Sequence, residues 1–191
     1  TVYPSIDKIN KFPKKENLII FSGKLNNAKG FDKFATAVSK ILNKHKSWKA
    51  IAIGDEPREK YSFKHKRLYF TGWISQDEVL KLYNKSSITV APSLWEEPFG
   101  RSSLEAGSRG NAVIISKRGG LPETISQPIF LKKITSQEIF KEIQKLILDK
   151  KYLKRKQLHN FKNPLHLIND NTKIMDIDRT KALKPIKKFN N

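Results

Sequence analysis

The chain has no cysteine and a single methionine, Met175. Without thiols there is no disulfide framework and no zinc ribbon, and the composition fits a reducing compartment, so the expected location is the cytoplasm. Arginine is scarce for so basic a chain: of 38 lysines and arginines only seven are arginine, against 18 acids, for a formal net charge of +20 at pH 7. Arginine supplies the bidentate forks that grip phosphate and guanine, so its scarcity argues against a nucleic-acid partner. The remaining charge suits anionic substrates, or an anionic membrane surface touched peripherally, or a lysine- and asparagine-rich composition with no functional meaning. Long apolar runs are missing as well. The longest, residues 18–21 and 112–115, are strand-sized, and the opening TVYPSIDKINKFPKKE lacks the apolar stretch of a signal peptide. That opening reads as a linker entering a strand, so a fragment of a longer protein is expected.

The 191 residues suit one domain with an appendage. From Asn17 onward, apolar runs and helical patterns alternate. LIIFSG (18–23) is followed by Phe31, Phe34, Ala35, Val38, Ile41 and Leu42 at helical spacing. WKAIAIG (48–54) and RLYFTG (67–72) are the second and third strands, and Ser75 with Glu78 has the spacing of a capping box. SITVAP (87–92), NAVIIS (111–116) and PIFL (128–131) complete six strands, and Thr135 with Glu138 opens another helix. Strands apolar at consecutive positions are strands covered on both faces, so the expected fold is α/β with a parallel six-stranded sheet flanked by helices. The pattern divides the chain into a linker (1–16), the domain proper (17–150) and a basic helical tail (151–191).

In a parallel α/β sheet, ligands gather where loops leave the carboxyl ends of the strands. The loop SGKLNNAKG carries Lys24 and Lys29 between a strand and a helix, which suits a phosphate or diphosphate. A second loop reads EEPFGRSSLEAGSRG, with Glu97 and Glu105 eight positions apart and a helix beginning at Gly100 whose first-turn N–H groups, at Arg101, Ser102 and Ser103, could hold an anion. Two carboxylates on either side of that turn can address different parts of one long ligand. As isolated residues, both glutamates would be ordinary surface acids, Trp73 and Trp95 packing residues, and Glu123 a helix cap. Asp176-Ile177-Asp178 mimics a metal-binding D-x-D, but no nucleotide-binding strand pattern precedes it, and none of the four histidines has catalytic spacing.

The run VAPSLWEEPFGRSSLEAGSRGNAVIISKRGGLPE resembles the signature region of the retaining glycosyltransferases of family 4, whose GT-B architecture sets two Rossmann-like domains across a cleft. SGKLNNAKG resembles that family's phosphate loop, IAIGDEP its glycine loop and LYFTGWISQDEVLKLY its nucleobase segment, in the same order over residues 17–125. The resemblance covers only the C-terminal, donor-binding half of such an enzyme. It implies a Rossmann-like fold, a nucleotide-diphosphate sugar as donor, no metal or other cofactor, and a missing N-terminal acceptor domain. By the same resemblance, Glu105 holds the ribose hydroxyls and Glu97 the transferred sugar. Lys24 and Lys29 neutralise the leaving diphosphate, with Gly23, Gly54 and the backbone of Phe99, Gly100, Arg101 and Ser102 around it. The nucleobase lies near Trp73 and Ile74. The chain departs from the family in having Lys24 where arginine is usual, keeping the charge but losing the fork. A sugar-nucleotide epimerase of the same architecture and a free-standing nucleotide-binding module stay open as alternatives.

Overall fold

The computed structural model describes residues 4–59 and 63–167, with 172, 173 and 175. In chain order the elements are β1 (Leu18–Ser22), α1 (Phe31–Lys44), β2 (Lys49–Ile53), β3 (Leu68–Phe70), α2 (Gln76–Lys85), β4 (Ile88–Ala91) and α3 (Arg101–Ser108). There follow β5 (Ala112–Ile115), a 3-10 turn at Leu121–Thr124, β6 (Ile129–Phe130), α4 (Ser136–Leu148) and α5 (Lys150–Lys162). The strands form one sheet in the order β3-β2-β1-β4-β5-β6, and every neighbouring pair is parallel. This is the parallel six-stranded sheet that the alternating pattern predicts, with the Rossmann-like fold that the resemblance implies.

Consecutive apolar residues are needed because both faces are covered. Along β1, Ile19 and Phe21 enter one core with Phe31, Phe34, Val38 and Ile41 of α1 and Ile139 and Ile143 of α4. Leu18 and Ile20 enter the opposite core with Tyr83 of α2, Ala106 of α3 and Ile115 of β5. Period-two alternation divides the side chains between two apolar layers. Ser75 and Glu78 close a full capping box on α2, whereas Thr135 caps α4 from one side only.

The segments that the sequence pattern sets apart at either end are tied to the domain. Ile6 is buried, its N–H donates to the carbonyl of His166, and it bridges to Leu167. The Lys15 ammonium donates to the carbonyls of Tyr83 (2.9 Å) and Arg109 (2.6 Å). The basic tail begins with α5, which packs on α3, α4 and β5. Two buried amides anchor it. Gln157 donates to the carbonyl of Ser87 (3.1 Å), and Asn160 donates to that of Asn111 (3.0 Å) while accepting from the N–H of Gln127. A boundary at residue 150 therefore cuts through packed structure. The sequence hides this because α5 is mostly polar: Tyr152 and Leu153 pack on the core, but its buried residues are the amides Gln157 and Asn160. Asp176 and Asp178 lie outside the described residues.

Candidate active site

Strands β1 and β4 are neighbours in the sheet, although the chain leaves β1 toward β2 on one side and enters β5 on the other. At such a switch point the loops part and leave a crevice at the carboxyl edge. Here the two loops are fastened together. The carbonyl of Ala28 accepts from the N–H of Leu94 (2.9 Å), the N–H of Trp95 (3.1 Å) and the hydroxyl of Ser93 (3.3 Å). Gly30 sits so close to β4 that a Cβ would stand 2.2 Å from the carbonyl oxygen of Pro92, and its φ of +71° suits glycine. As a result Lys29 and Glu97, far apart in sequence, meet: Nζ lies 2.6 Å from each carboxylate oxygen. They line a cleft of about 240 Å³ with Gly23, Gly100, Arg101 and Ser102.

Helix α3 points its first turn at this cleft. Its N-cap is Gly100, which has no side chain to satisfy the turn's N–H groups, so they and the positive end of the helix dipole favour an anion there. One turn further on, Glu105 is buried. Its Oε1 accepts from Arg101 Nε (2.8 Å) and from Gln76 Nε2 (3.1 Å). Burial pushes this carboxyl's pKa up, against the opposing pull of Arg101, Gln76 and Arg109. Among the described residues Oε2 has no hydrogen-bond partner, which leaves an acceptor beside the start of α2.

The structure thus separates the two carboxylates by environment. Glu97 belongs with Lys29 on the side of the loop after β1, and Glu105 with Arg101 and Gln76 at the start of α2. Trp73 is 75% exposed, while Ile74 packs against the second core. Gly54 comes within 2.1 Å of the Gly23 carbonyl by its would-be Cβ, holding the ends of β1 and β2 together. Phe99 is buried, its ring edge-on to His166 at 5.2 Å, so its side chain anchors the loop from below. Lys24 is exposed and lies outside the lining of the cleft, so of the two lysines only Lys29 is brought to Glu97.

Several supporting residues escape a reading of the sequence. Glu56 pairs with Arg58 through two bonds (2.7 and 2.9 Å) and reaches the loop after β1 at Asn26, while Glu59 accepts from the N–H of Asn27. The bonds from Arg58 hold the Glu56 pKa down to about 2. On the other side, Glu96 accepts from Arg118 (2.8 Å) and from the N–H of Gly119 (2.5 Å), and the N–H of Gly120 donates to the carbonyl of Glu97 (2.8 Å). The glycine pair after Arg118 was the available signal: two adjacent glycines beyond a strand mark a close backbone approach. Among the described residues no three histidine, aspartate or glutamate side chains gather as a metal-holding group.

Comparison with known proteins agrees with this architecture. An uncharacterized glycosyltransferase of Methanocaldococcus jannaschii is 34% identical over 121 residues, which are 60% of this chain and 30% of that protein. The lipopolysaccharide 1,2-N-acetylglucosaminetransferase of Salmonella typhimurium is 24% identical over 151 residues, 70% of this chain and 40% of that protein. The chain therefore spans less than half the length of these relatives. The crystal structure of the C-terminal domain of a glycosyl transferase group 1 family protein from Francisella tularensis superposes with a TM-score of 0.68 at 28% identity, covering 79% of this chain and 85% of that one. A family model described as "Glycosyl transferases group 1" matches residues 2–163, and the chain belongs to that family.

Proposed function

We propose that this chain is the donor-binding half of a retaining glycosyltransferase that moves a hexosyl group from a nucleotide-diphosphate sugar to a glycan or lipid-linked acceptor. The observation that carries it is the meeting of Lys29, Glu97 and the uncapped turn of α3 at the β1/β4 crevice. A diphosphate set there meets an ammonium and the N–H groups of Arg101 and Ser102. Its sugar meets Glu97, and its ribose meets the free oxygen of Glu105. In the transfer, the bond from the anomeric carbon to the diphosphate oxygen breaks and a bond to the acceptor hydroxyl forms. The hydroxyl proton passes to the departing diphosphate on the same sugar face, which retains configuration. Positive charge on Lys29 and the helix turn stabilises the leaving group as its charge develops. An N-terminal domain would bring the acceptor and close the site. Assay of the full-length protein with nucleotide hexoses tests this, with NMR of the product: the donor's anomeric configuration supports retention, and the opposite configuration contradicts it.

A cell-envelope acceptor, met at the inner face of the cytoplasmic membrane, is the setting we favour. Its support is the likeness to the Salmonella lipopolysaccharide enzyme and the exposed face of α5. That helix carries six lysines and arginines in thirteen residues and no acid, next to the exposed Leu148. Each well-placed basic residue contributes about 1 kcal/mol toward an anionic bilayer. Sedimentation with anionic and neutral vesicles separates this setting from mere lysine bias, which gives equal partitioning on both.

A further inference from the structure

In the structure Lys29 and Glu97 are closed on each other. Nζ is 2.6 Å from both carboxylate oxygens, the two side chains are 30% and 12% exposed, and among the described residues neither charged end has another polar partner. The backbone that presents the carboxylate is held on both flanks. The N–H of Gly120 donates to the carbonyl of Glu97, Glu96 is clasped by Arg118 and Gly119, and Ala28 gathers three donors from residues 93–95.

From this we infer that Glu97 is an internal competitor for Lys29, and that the pair sets the site's preference for a nucleotide sugar over the nucleoside diphosphate left after transfer. The inference rests on the donor-site reading above. A diphosphate can take the ammonium only by drawing it from Glu97. The carboxylate, mostly buried, is then left beside a ligand of like charge, which is unfavourable for both. A nucleotide sugar compensates, because its hydroxyls donate to the carboxylate as the ammonium leaves. A bare nucleoside diphosphate has no such groups at that position. The pair therefore penalises the product more than the donor and favours its departure. Lysine suits this exchange: its ammonium is a point charge on a flexible stem, which can transfer between carboxylate and phosphate without breaking a planar two-bond fork.

The test uses the 191-residue chain and calorimetric titration with UDP, GDP and ADP, on the wild type and on Glu97→Gln. The Gln variant is expected to bind the diphosphate that the wild type prefers about tenfold more tightly, the size of one charge-assisted hydrogen bond returned to the ligand. Nucleotide hexoses of the same base should gain less, so the donor-to-diphosphate preference shrinks. Glu97→Ala repeats the test with no amide to substitute for the carboxylate, and far-UV dichroism confirms folding of both. Equal or weaker diphosphate binding by both variants, with the wild type binding normally, overturns the competition and leaves the donor-site reading standing. No binding of any diphosphate by wild type or variants overturns that reading, and the inference with it.

Discussion

Gly119 lies against the carbonyl of Glu97: a Cβ built on it would stand 2.1 Å from that oxygen, at a backbone φ of +51°. The obstacle is backbone, with no flexible side chain to yield. Gly119→Ala therefore has to displace the loop that presents Glu97. Strain of this kind costs about 1–3 kcal/mol, so urea unfolding should show a loss of that order, with weaker binding of nucleotide sugars. A variant that matches the wild type in both would show that the loop is not held from this side.

Glu105 carries the opposite bargain. Burial raises its folded pKa, so the folded state holds this proton more tightly than the unfolded chain does. That contribution to stability is present below the ordinary glutamate pKa and is lost as pH rises through the raised one. Above the raised pKa the ionised carboxylate is a liability, and there Glu105→Gln, which cannot ionise, should melt at a higher temperature than the wild type. The same change replaces the proposed charged acceptor for the ribose hydroxyls with a neutral amide and should weaken nucleoside diphosphates by about 1.5–3 kcal/mol. A variant that is less stable and binds normally would reverse the assignment.

Glu56 titrates the other way. Its pKa is lowered to about 2 by Arg58, so the stability it lends is present above the ordinary glutamate value and lost as pH falls toward 2. Arg58→Ala should return the Glu56 carboxyl to the ordinary range in a carbon-13 NMR titration, with the amides of Asn26 and Asn27 shifting in the same pH window. An unchanged Glu56 midpoint would remove Arg58 as the cause.

Asn160 tests whether α5 is part of the domain. It spans from the carbonyl of Asn111 to the N–H of Gln127, the first bond buried and the second half-buried. Asn160→Ala takes this partner from the buried carbonyl of Asn111 and the half-buried N–H of Gln127 and should cost about 1–3 kcal/mol. A loss below a few tenths of a kcal/mol would mean that α5 is only an appendage.

The fold was legible because its signals are local. Apolar runs of strand length, glycines at their ends and a capping box at Ser75 each depend on residues a few positions apart. The candidate site was legible as loops but not as contacts. The spacing of Glu97 and Glu105 says nothing of Lys29, which lies 68 residues away and reaches Glu97 only through the pairing of β1 with β4. Lys24 and Lys29 look alike in the loop, and only the folding of that loop over Pro92 separates the lysine in the cleft from the one in solvent. The seating of α5 was illegible for another reason: Gln157 and Asn160 are polar, and only their buried hydrogen bonds distinguish them from surface residues.

In the proposed function a nucleoside diphosphate binds at the β1/β4 crevice with Lys29 on its phosphates. Titration calorimetry of the 191-residue chain with UDP, GDP and ADP, beside the Lys29→Met variant, tests it most directly. At least one diphosphate should bind at millimolar affinity or tighter, and the variant should lose about 1.5–3 kcal/mol, as for a hydrogen bond to a charged group. No heat from any of the three with folded protein, or equal affinity in the two proteins, would contradict it.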